Sequence, residues 1–506
     1  MRIAILTSRS ARHIIERLVA GRSNVYIVDL PVHAISFLDA RSLEKLLARR
    51  PDVAKRLSAA DIVLAPGSVR GDLRGVSRLI GKPVWKASRS PALLPAILDY
   101  LSSGGELSPE VSAEELVSKL EPDLPESKVA FSIGNVGIPL RGPPLVLAAE
   151  VPPGLGVEDT VRQASRMARD GASLIVIGVG FDEDPRVVSR KVEAVAGSVD
   201  TPVLSEAPTR GHAEAALSAG AHGIIVSSPS IEWALEVLPA GAALVIGDSD
   251  LGGLEASVRR ALQAGVTRVV ADPVLGLPLL GLLDSLERIK KASSRLNVPF
   301  QFTAANAVEE MSGDTHGVHA VMAVLAVESG ASIYYVVEDS YKSYRGVSEA
   351  KEALRVAQEA YRLKVTPRYV PSRLYVVKQP SEPENHNVGG SIKVDCVEPQ
   401  WDRKGYIRIW VDHARGVIVA EYRSYTGKVL ASVEGNHGPS VARELARRAR
   451  LDPDHAVYLG YEISKAEIAL ALRKSYTQDE PVIIPVWGWS VEEGGRIRTC
   501  EDHNSG

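Results

Sequence analysis

The stretch Ala168-Arg169-Asp170-Gly171-Ala172-Ser173-Leu174-Ile175-Val176-Ile177-Gly178-Val179 decides how this chain folds. Amphipathic spacing from Glu158 to Arg169 predicts a helix, Gly171 supplies the left-handed turn that stops it, and an apolar run of strand length follows at once. The same junction recurs at Ala219-Gly220, Ala264-Gly265 and Ser329-Gly330. Working outward, eight buried-strand candidates emerge: Leu145–Val151, Ser173–Val179, Pro202–Ser205, Gly223–Ser227, Ala243–Ile246, Arg268–Asp272, Phe300–Thr303 and Ser332–Val337. Helix-length stretches such as Gly252–Gln263 separate them, and Ser348–Tyr361 ends the series. Short, continuously apolar strands alternating with helices imply a parallel sheet covered on its faces. Eight such units in about 240 residues match a (β/α)8 TIM barrel. An open doubly wound sheet is the alternative, but the count of eight and the lack of a dinucleotide fingerprint weigh against it.

Two further regions flank this core, so the expected fold class is α/β with three parts. Residues 1–124 read as a small N-terminal α/β domain plus linker, 125–366 as the barrel, and 367–506 as a C-terminal α+β domain. In the first part, Ile3–Leu6, Val25–Val28 and Ile62–Leu64 are strand-length apolar runs, and Ser42–Leu57 has helical spacing. Pro66-Gly67 and Arg70-Gly71-Asp72 read as a plain connecting turn, and Ser103–Ser127 as a linker with one short helix. In the last part, Tyr406–Asp412 and Val417–Tyr422 alternate and are joined by His413-Ala414-Arg415-Gly416, a hairpin signature. Lys428–Val433 adds a strand, helices follow over Pro439–Arg448 and Ile463–Arg473, and the polar tail from Glu492 is expected to be poorly ordered.

Composition narrows the function classes. At roughly 100–200 residues per domain, 506 residues allow about three domains, and 45% hydrophobic content excludes wholesale disorder. A net charge of -3 argues against a broad nucleic-acid-binding face. Two cysteines, Cys396 and Cys500, exclude a disulfide framework or a four-cysteine zinc site and suit a reducing compartment. No apolar run approaches the roughly 18 residues of a membrane span, and Met1–Leu6 reads as a first strand rather than a signal peptide. The expected location is cytoplasmic.

In a barrel of this kind the active residues lie just past the C-terminal strand ends. Those positions hold Glu150, then Asp182-Glu183-Asp184, Ser205-Glu206, Ser227-Ser228, Asp248 and Asp250, Asp272, Thr303 and Asn306, and Glu338-Asp339 followed by Lys342 and Arg345. The mouth is rich in carboxylates and poor in bases. A ring with adjacent N–H and amino donors, such as a 2-amino-4-oxo-pteridine, pairs with one carboxylate through two parallel hydrogen bonds. A divalent metal is the rival ligand. For Asp182 to Asp184 and for Asp248 and Asp250, capping of the next helix is the plainer reading. Asp272 ends an apolar strand and leads into Pro273 and a glycine-containing loop, which favours function, and its burial needs a partner. His316 and His319 supply two ligands at most, Cys500-Glu501-Asp502-His503 lies in the polar tail, and His437 precedes a helix where it could meet an anion.

Several of these residues carry a family resemblance. Val270-Ala271-Asp272-Pro273-Val274-Leu275-Gly276 resembles the Asp-Pro-Gly-x-Gly segment of dihydropteroate synthases, which belong to the pterin-binding barrels. Ala168–Ala172 resembles that family's helix-to-strand junction, and Leu204-Ser205-Glu206 falls where those enzymes have Ser-x-Asp. The chain as a whole is most similar to archaeal dihydropteroate synthase-related proteins, whose Asn-Val-rich seventh loop resembles Asn306–Glu310 through Asp314, Gly317 and Val318. The segment Leu459–Glu467 through Gln478-Asp479 is similar to part of the corrinoid-carrying subunit of tetrahydromethanopterin S-methyltransferase.

The family's first-strand Asn-x-Thr-Pro-Asp-Ser-Phe is here Ala148–Gly154, its Glu-Ser-Thr-Arg-Pro loop is Phe181–Pro185, its seventh-strand lysine is missing at Thr303–Ala305, and its final Arg-x-His is Tyr335-Val336-Val337. Those lost cations are the ones that would hold a pyrophosphate. The resemblance implies a transferase of folate or methanopterin-type cofactor biosynthesis that joins a dihydropterin methyl-pyrophosphate to an arylamine. Asp272 and Glu206 would hold the ring, with Asn306, Glu150 and Ser227 lining its site. Lys342 or Arg345 would hold phosphate, and Mg2+ would screen the acids. The alternatives are a non-synthase pterin-binding or methyl-transfer partner protein and a structural or regulatory protein with a disused site. Expected partners are a pterin and an arylamine, with no nucleic acid and no membrane, and a homodimer is the open assembly.

Overall fold

The computed structural model describes residues 1–32, 35, 38–89, 91–116, 128–363, 366–378, 390–392, 394, 402–483, 490–491 and 495–496. The chain divides into two compact units, Met1–Ser381 and Glu382–Gly506. No helix among the described residues is long and apolar enough to cross a membrane.

The first unit opens with four parallel strands, β1 (Ile3–Ser8), β2 (Val25–Leu30), β3 (Ile62–Ala65) and β4 (Val84–Lys86), in the order β2-β1-β3-β4. Every residue of β1 and β3 is buried, as expected of strands covered on both faces. The fourth strand is only Val84-Trp85-Lys86, too short to stand out in the sequence. The single helix expected over 42–57 is two, Ala40–Ala48 and Pro51–Ser58. Pro51 has no N–H to continue the first helix but suits the first turn of the second.

A two-stranded hairpin, β5 (Val129–Ile133) and β6 (Val136–Pro139), precedes the barrel and has no counterpart among the expected elements. The barrel strands are β7 (Val146–Val151), β8 (Leu174–Ile177), β9 (Val203–Glu206), β10 (Gly223–Ser227), β11 (Ala243–Gly247), β12 (Val269–Asp272), β13 (Gln301–Thr303) and β14 (Ile333–Val337). All pair in parallel in the order β12-β11-β10-β9-β8-β7-β14-β13. A bridge between Ala271 and Phe300, with the Ala271 N–H donating to Pro299 O at 3.0 Å, joins β12 to β13 and closes the ring. The eight-stranded barrel expected from the sequence is therefore present, with strand ends shifted by a residue or two.

The period of two along each strand splits the barrel into two cores. One set, with Leu147, Ala149, Ile175, Ile177, Val203, Leu244 and Ala271, packs against the surrounding helices. The other, with Val146, Ala148, Leu174, Val176, Leu204, Val245, Val270 and Ile333, fills the interior. Ile133 and Ile138 of the hairpin are buried in that interior cluster and cover the end where the strands begin. The last barrel helix, Gly346–Leu363, adds Val356 and Ala360 to the core of the N-terminal sheet, so β1 and β3 and the barrel share packing within this unit.

The second unit contains an antiparallel meander, β15 (Tyr406–Asp412), β16 (Val417–Arg423) and β17 (Val429–Gly435). Helices Gly438–Ala449 and Pro453–Leu472 bury Val441, Leu445, Leu459 and Ile463 against Ile407, Ile409, Ile418 and Tyr422. The second helix starts ten residues earlier than the predicted Ile463, because Asp452 accepts the His455 N–H and Pro453 occupies the first turn. Of the tail from Glu492 only 495–496 are described; Cys396, Cys500 and His503 lie outside the described residues.

Candidate ligand-binding site at the barrel mouth

Residue parity places the acids. Glu150 is in step with Val146 and Ala148, Glu206 with Leu204, and Asp272 with Val270, so each follows interior residues and points into the barrel at or next to the end of its strand. Together they line a cavity of about 300 Å³ at the C-terminal strand ends. Among the described residues its lining holds six carboxylates (Glu150, Glu206, Asp272, Glu309, Glu310 and Asp339) and no Lys, Arg or His. Pro152, Pro153, Ile225, Leu277 and Val337 give it apolar walls.

Asp272 is held by the protein through both carboxylate oxygens. Its Oδ2 accepts from Gln301 Nε2 at 2.9 Å and Thr303 Oγ1 at 2.7 Å, and its Oδ1 accepts from the Val274 N–H at 2.9 Å. The partner that burial demanded is thus Gln301 and Thr303, which share the interior face of β13. Burial still raises the Asp272 carboxyl above its usual range, against the pull of Thr303, Val274 and Gln301. Arg288 shapes the following loop through Pro273 O at 3.0 Å and Val274 O at 2.6 Å.

Glu150 and Glu206 are differently placed. Glu150 Oε2 accepts from the Tyr335 hydroxyl at 2.8 Å, and Glu206 Oε2 accepts from the Val179 N–H at 3.3 Å. Burial first, and the nearby Glu206 charge second, push the Glu150 carboxyl up to about 8. Burial also raises Glu206. Burial and the neighbouring carboxylates hold Tyr335 protonated well above its ordinary range.

The other expected site residues divide. Asn306 lines the cavity and donates from Nδ2 to Leu275 O at 2.6 Å. Ser227 is exposed, 3.3 Å from Ser230 Oγ, and does not line the cavity. Lys342 donates to the carbonyls of Glu309 and Met311, and Arg345 pairs with Asp170 at 2.8 Å, so neither cation lines the cavity. Both follow the eighth strand in sequence, but the turn at Tyr341–Ser343 and a left-handed Arg345 (φ 68°) set where their side chains go. Gln301 and Tyr335 escaped the sequence reading as site residues. Counting back two from Thr303 and Val337 would have found them.

The remaining motifs serve the fold. Asp184 caps its helix through the Arg186 N–H at 2.8 Å, and Asp250 caps through Gly253 at 2.7 Å. Glu183 does not cap as expected: it accepts the Gly180 N–H at 3.2 Å and pairs with the buried Lys191. His319 is buried, with Nδ1 3.0 Å from the Tyr334 hydroxyl. Gly438 at the helix start after His437 donates to Glu467 Oε1 at 2.7 Å, so a carboxylate of the chain occupies that N-terminus. In the second unit, Asp402, Asp452 and His455 come within 4.8 Å of one another. Asp402 there accepts from Tyr422 at 2.7 Å and from the Lys404 N–H at 2.8 Å, which makes it a tie between strand and helix.

Known proteins resemble this chain in both units. A family model described as PterinBD-DUF4346 matches residues 401–479. An uncharacterized protein of Methanocaldococcus jannaschii, MJ0107, is 26% identical over 522 aligned positions, covering 95% of this chain and 98% of that protein. Among solved structures, the dihydropteroate synthase of Thermus thermophilus is 24% identical, covers 43% of this chain and 94% of that chain, and has a TM-score of 0.36. The Yersinia pestis enzyme with a pterine-sulfa conjugate is 20% identical over 46% of this chain and 98% of that chain, with a TM-score of 0.37.

Proposed function

We propose that this chain is a dihydropteroate synthase-like pterin-binding protein that holds the 2-amino-4-oxo edge of a reduced pterin at the barrel mouth. The observation that carries this reading is the cavity lining: among the described residues, six carboxylates with no basic side chain, between apolar walls. A flat ring with adjacent N–H and amino donors matches both features. Glu206 Oε1 has no hydrogen-bond partner among the described residues, and Asp272 Oδ1 has only the Val274 N–H, so these atoms retain room to accept from a ring. Asn306 and the face of Leu277 would flank it. The family model that matches 401–479, in the second unit, is described as PterinBD-DUF4346, which supports a link to pterin-binding proteins for the chain as a whole.

Condensation with an arylamine asks more of the site. Displacing pyrophosphate needs cations at the leaving group, and Lys342 and Arg345 are occupied elsewhere. Mg2+ shared between one or two carboxylates and the substrate phosphates is the route this lining leaves. Calorimetric titration with 6-hydroxymethyl-7,8-dihydropterin and with its pyrophosphate, each with and without Mg2+, tests both levels. The dihydropterin is expected to bind without Mg2+ and its pyrophosphate only with it. Absence of dihydropterin binding overturns the pterin reading. Release of pyrophosphate on adding p-aminobenzoate or a related arylamine would establish the synthase.

A further inference from the structure

Glu150 is the last residue but one of β7 and Glu206 ends β9, and the chain leaving β8 runs between them. A side-chain carbon on Gly178 would fall 2.5 Å from Glu150 Oε1, and the next N–H, that of Val179, donates to Glu206 Oε2. The two acids therefore flank one strip of backbone that only glycine leaves open. The groups facing Glu150 are Glu206, Asp339 and the Tyr335 hydroxyl, and Asp272 lies across the same cavity. None of these is a cation, and among the described residues no Lys, Arg or His lines the cavity. Two carboxylates in a buried site without a counter-charge do not both stay ionised. Tyr335 claims Oε2 of Glu150, which leaves Oε1, beside Gly178, to carry a proton.

We propose that Glu150 and Glu206 hold one proton between them in the ligand-free protein, and that Glu150 Oε1 delivers it to a nitrogen of the bound ring. The O–H bond of Glu150 breaks as the ring N–H bond forms. The ligand becomes a cation, Glu150 joins Glu206 as an anion beside it, and the net charge of the site is unchanged, so no further reactant is needed. The first half stands on the geometry alone, and the second rests on the pterin reading. The site would thus select heteroaromatic bases over neutral rings that cannot take up a proton.

Infrared difference spectroscopy of the full-length protein tests this. At neutral pH the wild type should show the C=O stretch of a buried carboxylic acid that Glu150→Gln loses. Tyr335→Phe, which removes a hydrogen bond favouring the ionised form, should keep that band to higher pH. Absence of the band in the wild type overturns the proposal whatever the ligand does. On adding 6-hydroxymethyl-7,8-dihydropterin, the band should fall while the ring's absorption shifts to that of its protonated form. Heat of binding with neither change overturns the transfer. A persistent band with no heat of binding rejects the pterin reading and overturns the transfer with it.

Discussion

Tyr335 donates its hydroxyl to Glu150 Oε2 at 2.8 Å across the seam where the eighth barrel strand pairs with the first. The contact ties ring closure to the chemistry of the mouth. Among the described residues, Tyr335 on β14 is the hydrogen-bond donor that the Glu150 carboxylate has.

Stability should therefore fall as pH rises. Glu150 has a native value near 8 against an ordinary 4.5. A carboxyl raised in this way contributes stability that is complete below about 4.5 and gone above about 8, because the unfolded chain ionises freely over that window. Urea midpoints of Glu150→Gln and wild type should match near pH 4.5 and diverge by on the order of a few kcal/mol at pH 8, in favour of the variant. Parallel pH curves for the two proteins would contradict the buried-acid assignment.

Asp272 should separate binding from folding. Asp272→Ala strands Gln301, Thr303 and the Val274 N–H, and should cost about 2–4 kcal/mol in chemical denaturation. Asp272→Asn should keep most of the fold, since the Gln301 amide can turn and the Thr303 hydroxyl can accept. It should weaken dihydropterin binding roughly ten- to hundredfold by calorimetry. Full affinity in the Asn variant would remove Asp272 from the ring site.

The Lys191–Glu183 pair offers a stability test away from the ligand. Lys191 is 1% exposed and its ammonium meets Glu183 Oε1. Glu183→Gln leaves that ammonium buried without its counter-charge and should cost about 3–5 kcal/mol, read as a lowered denaturation midpoint. Lys191→Met combined with Glu183→Gln should recover much of the loss.

His319 should act on the acid side. Burial, with a smaller push from His316, lowers it to about 4 from an ordinary 6.5. A depressed histidine stays neutral in the native state, so its contribution is whole above pH 6.5 and is lost as pH falls toward 4. The difference in unfolding free energy between wild type and His319→Gln should shrink by about 3 kcal/mol over that range. A difference independent of pH would show that His319 does not titrate on unfolding.

Much of this was legible in the chain. Eight short apolar runs, each followed by a helix and several preceded by a helix-stopping glycine such as Gly171 or Gly330, carry the barrel in local physics alone. The acidity of the mouth follows too, because parity along β7, β9 and β12 already turns Glu150, Glu206 and Asp272 inward. The hairpin β5–β6 was not legible. Val129-Ala130-Phe131-Ser132-Ile133 is largely exposed, and only burial of Ile133 and Ile138 in the barrel interior explains it.

The sequence by itself determined the strand count of the barrel, the order of its strands and helices and which side of each barrel strand faces inward, since these depend on periods of two and 3.6 residues and on glycine conformations. Only the tertiary structure decided which charges meet. Lys342 and Arg345 stand just past β14 in the chain, yet their cations reach main-chain carbonyls and Asp170. Glu150 and Glu206 are far apart in sequence, yet flank one strip at Gly178. Coulomb energy and desolvation depend on distances and burial that closure of the barrel creates. A list of residue types carries neither.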